Sequence, residues 1–484
     1  MTHPVHAAGP GAGTPMDTTA TRPPDPGQPA PGQLLAARQP AEPLPFSHAR
    51  GSWIHLADGR RLLDASSGLV CVNVGHAHPS VVHAMTEQAQ SGAFASPGAL
   101  RPALQEQLAR RLARLVGRPE DRVVFTSTGT SAVEMAIALA RLAQRAKGGH
   151  RRHRILTSSL SYHGNSALTL ALSGHRRRRP RHDDAMGLRP EFDPPYPGLH
   201  RRCRYARCRA ECAEDVHGVM PEDPESVAAV LVEPVSGTTG GGYTPPDGYL
   251  SRLRSLNADQ GVLTLHDEVL TGLGRTGLPL AADHWPDTRA DITVLSKGLG
   301  AGYLPLSAVL LAPEHAESIL SAGMPLPMMG TMSATPLQAA VGLAVLDVLE
   351  ETGALTDARG LGARLEGALR RSLAGLPAVT DIRGRGQFHG IELAPGTLRE
   401  AMRRTRARDL LLYPFNGYRP DGSGEGLIVA PPLTSTQDEL DFLVRRLHQA
   451  LEDLPGPEGC GPLPSAPPRA KPSKDPSGPH PETL

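Results

Sequence analysis

The sequence predicts an α/β fold with a mainly parallel sheet. Three short apolar runs, at residues 227–232, 262–267 and 291–296, point to it. Each is short enough for a buried strand and too short for a helix. Each also delivers charge at its carboxyl end: Glu233 after the first, Asp267 and Glu268 at the close of the second, Lys297 after the third. Open α/β sheets bind ligands outside the carboxyl ends of their strands. Between the first two runs, PPDGYLSRLRSLNADQ reads as a turn and a helix, the alternation that builds such sheets.

Lys297 admits two readings. A lone Ser-Lys-Gly is most simply a surface lysine at a strand end. The alternative is an amine that forms a Schiff base with an aldehyde cofactor, and pyridoxal phosphate also needs a carboxylate to keep its pyridine nitrogen protonated. Asp267 stands at the preceding strand end, 30 residues before Lys297, and supplies that carboxylate. Upstream, Ser127-Thr128-Gly129-Thr130-Ser131 opens a helix that runs to about Arg145. Small residues and hydroxyls at a helix N-terminus form either a cap for orphan N–H groups or a cup for an anion, and the lysine–aspartate pair favours a phosphate cup on Gly129 and Thr130.

The motifs TGTSAVEMAIALAR, SYHG, EPVSG, DEVLTGLGRTG, SKGLGAGYLPLSAV and APPL, in that order, resemble the class III (ω-type) aminotransferases of the fold-type I pyridoxal-phosphate enzymes, over roughly residues 50–450. The resemblance implies a large domain with a seven-stranded, mainly parallel sheet flanked by helices, plus a smaller α+β domain made from N- and C-terminal segments. It implies that Tyr162 and Val269 sandwich the cofactor ring, that His163 and Glu233 lie beside it, and that Thr331 reaches the phosphate of a neighbouring subunit. It thus implies a homodimer with shared active sites, serving a small amine donor and a keto or aldehyde acceptor. Trp53, Val70 and Arg419 are its candidates for the substrate side. Two positions depart from the family pattern: Ser131 stands where an acidic residue is usual, and Gly330 where a histidine is usual.

The sequence divides into a Pro/Gly-rich tail at 1–44, the N-terminal part of the small domain at 45–95, the large cofactor-binding domain at 96–345, the rest of the small domain at 346–455 and a Pro-rich tail at 456–484. The tails cannot bury enough surface to offset their ordering entropy and are expected to be disordered. Within the first segment, residues 52–64 predict a hairpin turning at Asp58-Gly59, and SSGLVCVNVGHAHPS predicts a loop and strand leading into a helix near Ser80. Residues 105–116 show a leucine face on Leu104, Leu108, Leu112 and Leu115. Leu361, Leu365, Leu369 and Leu373 make a second helical stripe, and Thr434-Ser435-Thr436-Gln437 fits a capping box ahead of the last helix.

A net charge of +1 provides no global field toward nucleic acid or a membrane surface, and no apolar run approaches the ~20 residues of a membrane span. Five scattered cysteines suggest a reducing, cytoplasmic setting rather than a disulfide frame. The basic insertion at 175–217 stays open. Binding nucleic acid, holding zinc through Cys203, Cys208, Cys212 and His200, and meeting an anionic substrate or carrier all compete with a solvated loop over the active-site mouth.

Substrate choice is read from one replacement. Relatives specific for amino acids grip an α-carboxylate with an arginine just before Ala-Pro-Pro-Leu. Here Leu427-Ile428-Val429 occupies that place. Aliphatic side chains cannot reproduce a guanidinium–carboxylate fork. The expectation is therefore an amine without an α-carboxylate, either an ω-amine or the end of a biosynthetic or peptide intermediate. Other pyridoxal-phosphate chemistry on this scaffold (aminomutase, racemase, decarboxylase) and a binding protein on a retired fold remain the alternatives.

Overall fold

Strands β4 (Arg122–Thr126), β9 (Ser307–Leu311), β8 (Ile292–Leu295), β7 (Leu263–Asp267), β6 (Val227–Val232) and β5 (Arg154–Thr157) lie side by side, in that order, in the largest sheet of this computed structural model. The structure describes residues 44–457 except 97–98, 101–102, 176–189, 197–207, 219–223, 328–329, 358–359 and 420–421. Strands β5 to β8 run parallel, and β9 is antiparallel to both of its neighbours. Every residue of β6 to β9 is buried, which is why VAAVLV and ITVL read as unbroken apolar runs without alternation.

Six strands are described where seven were expected. Beyond β5 the next place is taken by one parallel bridge, Ser158 to Phe192. Phe192 lies between Pro190 and Pro194. Proline has no N–H to donate, so the ladder stops after one register.

Two four-stranded sheets complete the fold. The first joins β1 (Phe46–Arg50), β2 (Trp53–Leu56) and β3 (Arg61–Asp64) to β12 (Leu410–Leu411), which pairs in parallel with β3 through Leu410 opposite Leu63. Chain segments almost 350 residues apart thus share a sheet, ~350 being the difference of their numbers. The β2–β3 hairpin turns at the expected place, with Gly59 at φ +87. The other sheet orders β10 (Val379–Arg385), β11 (Phe388–Leu393), β14 (Glu425–Val429) and β13 (Tyr413–Asn416). Against these sheets pack Leu361, Leu365, Leu369 and Leu373 of the helix Leu361–Leu373, with Leu440, Leu443 and Leu447 of the helix Gln437–Leu451.

Two local expectations shift. Residues of SSGLV form no strand. Ser67–Val70 is a distorted helical turn, with Ser67, Gly68 and Val70 all at positive φ. Asp64 imposes it: both carboxylate oxygens accept the Gly68 N–H at 2.8 Å, and Oδ2 also meets His76 Nε2 at 2.9 Å. The last helix is capped by Thr436, whose partner is Glu439, rather than by Thr434 with Gln437. A carboxylate reaching back to the Thr436 N–H at 2.9 Å sets the frame two residues later.

Candidate active site

The carboxyl ends of β6, β7 and β8 and the start of the helix Gly129–Ala146 meet around a cleft of about 260 Å³. Gly129, Thr130, Tyr162, His163, Glu233, Asp267, Val269 and Lys297 all line it. The structure therefore brings these eight sequence candidates together.

At the helix end, Thr128 is the N-cap. Its Oγ1 accepts the Ser131 N–H at 3.1 Å, and Ser131 Oγ accepts the Thr128 N–H at 3.1 Å. Ser131, the departure from the family pattern, thus closes a capping box, and a short hydroxyl does what an acid could do. Gly129 is pressed against the floor: a Cβ there would come within 3.0 Å of Val269 Cγ1. Gly164, at φ +140, leaves no room for a side chain beside Thr130, whose Oγ1 donates to Asn165 Oδ1 at 2.9 Å.

Asp267 ends β7. One carboxylate oxygen accepts the Val269 N–H at 3.1 Å, and the other meets His163 Nδ1 at 2.8 Å, with both side chains almost wholly buried. Glu268 turns the other way. Its oxygens accept the N–H groups of Ala281 and Ala282 and the Thr271 hydroxyl, so it braces a turn and stays out of the cleft. Lys297 follows β8 directly and holds φ +29, a conformation that costs a residue with a Cβ. The next residue must be glycine: a Cβ on Gly298 would fall 2.3 Å from Asn73 Nδ2. Glu233 ends β6 with Oε2 buried and unpartnered. Burial, reinforced by nearby Asp267, raises its pKa well above the ordinary carboxylate value, and backbone N–H groups of Gly237 and Tyr162 and the charge of Lys297 only partly oppose this.

These residues fit pyridoxal phosphate. Asp267 is a fixed buried carboxylate, Lys297 stands one strand away, and His163 Nε2 and Glu233 Oε2 are buried polar atoms without a partner inside the wall of the same cleft. The cup at Gly129 and Thr130 faces it from a helix N-terminus.

Four sequence candidates lie elsewhere. Val70 is fully buried and packs in the core, whereas Leu69, 59% exposed, lines the cleft. The distorted turn rotates the chain by one position relative to an extended strand. Trp53 donates from Nε1 to Glu439 at 2.9 Å and is covered by Arg61, with the guanidinium 4.3 Å from the ring. It is a packing residue of the β1–β3 sheet. Arg419 pairs with Glu392 and lines a separate cavity with Arg383. Thr331 is exposed and outside the lining of its own chain's cleft, one residue from Met332, whose carbonyl accepts the Ser127 hydroxyl at 2.9 Å. The sequence did not single out Leu69, Thr238, Leu270 or Tyr413 as cleft residues. Thr238 sits in the glycine-rich run after Glu233, which was the available signal; nothing marked Tyr413 before the sheets were assembled. His200 and Cys203, from the zinc reading, lie outside the described residues.

Known proteins share this arrangement of chain. The family described as aminotransferase class-III matches residues 35–451. An omega-aminotransferase of Caulobacter vibrioides is 32% identical over 417 residues, 84% of this chain and 93% of that protein. Acetylornithine aminotransferase 1 of Bordetella bronchiseptica is 35% identical over 409 residues, 84% of this chain and 94% of that one. An amine transaminase from an uncultivated Pseudomonas species, solved in its PLP-bound form, superposes with a TM-score of 0.78 at 29% identity, over 87% of this chain and 99% of that one. Because the family match runs through all three sheets and every strand end that reaches the cleft, and these relatives each cover more than four-fifths of the chain, the chain belongs to the class-III aminotransferases, which are pyridoxal-phosphate enzymes.

Proposed function

We propose that the enzyme transfers an amino group between a primary amine lacking an α-carboxylate and a keto or aldehyde acceptor. The amine is an ω-amine or the amine end of a larger biosynthetic or peptide intermediate. Transamination is the reaction of the family; the proposal concerns the donor. The observation that carries it is the cleft wall. Leu69, Val269, Leu270 and Tyr413 supply its bulk, and no arginine is among its described lining residues. Leu427, Ile428 and Val429, where an arginine grips the substrate in amino-acid-specific relatives, are fully buried in β14. A substrate carboxylate would meet the carboxyl of Glu233 and a low-dielectric wall with no fork to pair with, which is costly.

The bound cofactor supplies an electron sink for the carbon that carries the amine. Lys297 is the group that takes and returns the proton at that carbon, acting as base and then as acid. Asp267, held by His163 and the Val269 N–H, would keep the ring nitrogen protonated. Tyr162 and Val269 line the cleft where they would flank the ring, and Thr130 with the N–H groups at the helix start would hold the phosphate. We further infer a homodimer in which Thr331 serves the neighbouring cleft. Its exposure outside its own cleft supports this, as do the exposed apolar side chains of Phe94, Leu100 and Met332. The odd, scattered cysteine set supports a cytoplasmic site of action.

The test is single turnover without acceptor. Purified holoenzyme is mixed with simple amines and with α-amino acids while the absorbance of the lysine-bound cofactor is followed. Loss of that band with amines, and at least about tenfold slower loss with their α-carboxylated counterparts, is expected from a missing carboxylate fork. Discharge by α-amino acids alone would overturn the proposal and point to a carboxylate grip beyond the described lining, either the 175–217 insertion or an Arg419 released from Glu392.

A further inference from the structure

The helix Gly129–Ala146 presents its start to the cofactor cleft. Its far end, some 27 Å away at about 1.5 Å per residue, borders a second cavity of about 370 Å³. Arg141, Arg145, His150, Arg152 and His153 line this groove, and no carboxylate is among its described lining residues. Two of the guanidinium groups are fixed by neutral acceptors. Arg141 Nε donates to the His153 carbonyl at 2.8 Å, and Arg152 donates to the carbonyls of Val227 at 2.8 Å and Gln260 at 2.9 Å. Arg141 is half-buried, and burial alone pushes its pKa down, with no carboxylate acting the other way.

This sets the groove apart from the larger cavity of about 540 Å³ lined by Arg370, Arg383 and Arg419. There the charges are matched: Arg383 and Arg419 close on Glu392, and Arg370 on Glu366. Favourable interaction with the helix dipole accounts for Arg145, which lies in the last turn. It does not account for Arg141, a turn earlier and half-buried, nor for Arg152, beyond the helix. Held cations around a concavity, with desolvation uncompensated, are a receptor for an anion.

We propose that this groove binds a small polyphosphate, an anion carrying two or more linked phosphates such as a nucleoside di- or triphosphate, through its phosphate chain. Three permanent charges exceed what one carboxylate or one monophosphate neutralises, and the guanidinium fork matches phosphate oxygens in pairs. The volume falls in the range of small-molecule sites, roughly 300–1,000 Å³. No Phe, Tyr or Trp is among the described lining residues, and the guanidinium groups outnumber the two imidazoles, so the phosphates are the recognised part.

Calorimetric titration of the holoenzyme with inorganic pyrophosphate tests this, because the cofactor already fills the phosphate cup of the cleft. Pyrophosphate is expected to bind about tenfold or more tightly than monophosphate, and to weaken as salt is raised. Arg141→Gln and Arg145→Gln are each expected to raise the Kd about tenfold, whereas Arg114→Gln, an exposed arginine on another helix, leaves it unchanged. Arg145 is exposed, so its variant keeps the test valid if Arg141→Gln fails to fold. No measurable binding, or a Kd unmoved by Arg145→Gln, overturns the proposal. So does a duplex oligonucleotide binding more tightly than pyrophosphate, which would make the groove part of a nucleic-acid surface.

Discussion

Glu233 and Lys297 show how single residues in the cleft carry stored cost. Lys297 holds a positive φ, next to a glycine that Asn73 leaves no room to replace. Glu233 keeps a buried oxygen without a partner while Asp267 stands near it and Lys297 only partly compensates. The folded chain therefore holds the Glu233 proton to a higher pH than the unfolded chain does. The native state binds more protons over that interval, so this contribution to stability is complete below the ordinary carboxylate pKa of about 4.3 and is lost as pH rises through the raised native value. Glu233→Gln removes the titration and keeps the shape. Urea midpoints of parent and variant holoenzyme, measured from pH 5 upward, are expected to diverge, with the variant declining less as pH rises. Parallel curves would show that Glu233 is ionised in the native protein.

At the scale of the element, the helix Gly129–Ala146 depends on a two-way hydroxyl clasp at its start. Ser131→Ala deletes one half of it and strands the Thr128 N–H. A loss of about 1 kcal/mol in unfolding free energy is expected, together with faster release of the cofactor on dialysis if the same turn is the phosphate cup proposed above. If stability falls and cofactor retention does not, the turn is a cap only. This scale also separates what the sequence could and could not reveal. The strand ends bearing Glu233, Asp267 and Lys297 were legible because short, largely apolar runs that close on a charge admit few other structures. The turn at Ser67–Val70 was not, because its course is set by Asp64 gripping the Gly68 N–H, a contact that side-chain pattern does not encode. Hence Val70 was assigned to the pocket and Leu69 lines it. Likewise Thr434 and Thr436 have the same capping chemistry, and the choice fell to Glu439, which reaches Thr436.

Across the whole molecule, Arg275 is the strut that holds distant parts of the chain in register. Wholly buried, it donates to the carbonyls of Pro431 and Gln387 and to Asn73 and Ser67. Burial lowers its pKa to about 10, still well above neutrality, so the charge persists. Arg275→Met keeps the bulk and leaves these acceptors dry. It is expected to cost about 3 kcal/mol or more in urea unfolding, with cofactor binding weakened alongside because Asn73 also wedges the residue after Lys297. The flank of the large sheet has a different consequence. Beyond β5, the described residues place one bridge, at Phe192 between two prolines, and those prolines have no N–H to offer a second polypeptide. Unprotected margins of sheets recruit strands from other chains and seed aggregates. The proline fence therefore protects colloidal solubility, and it does so without occupying any of the strand ends that face the cleft.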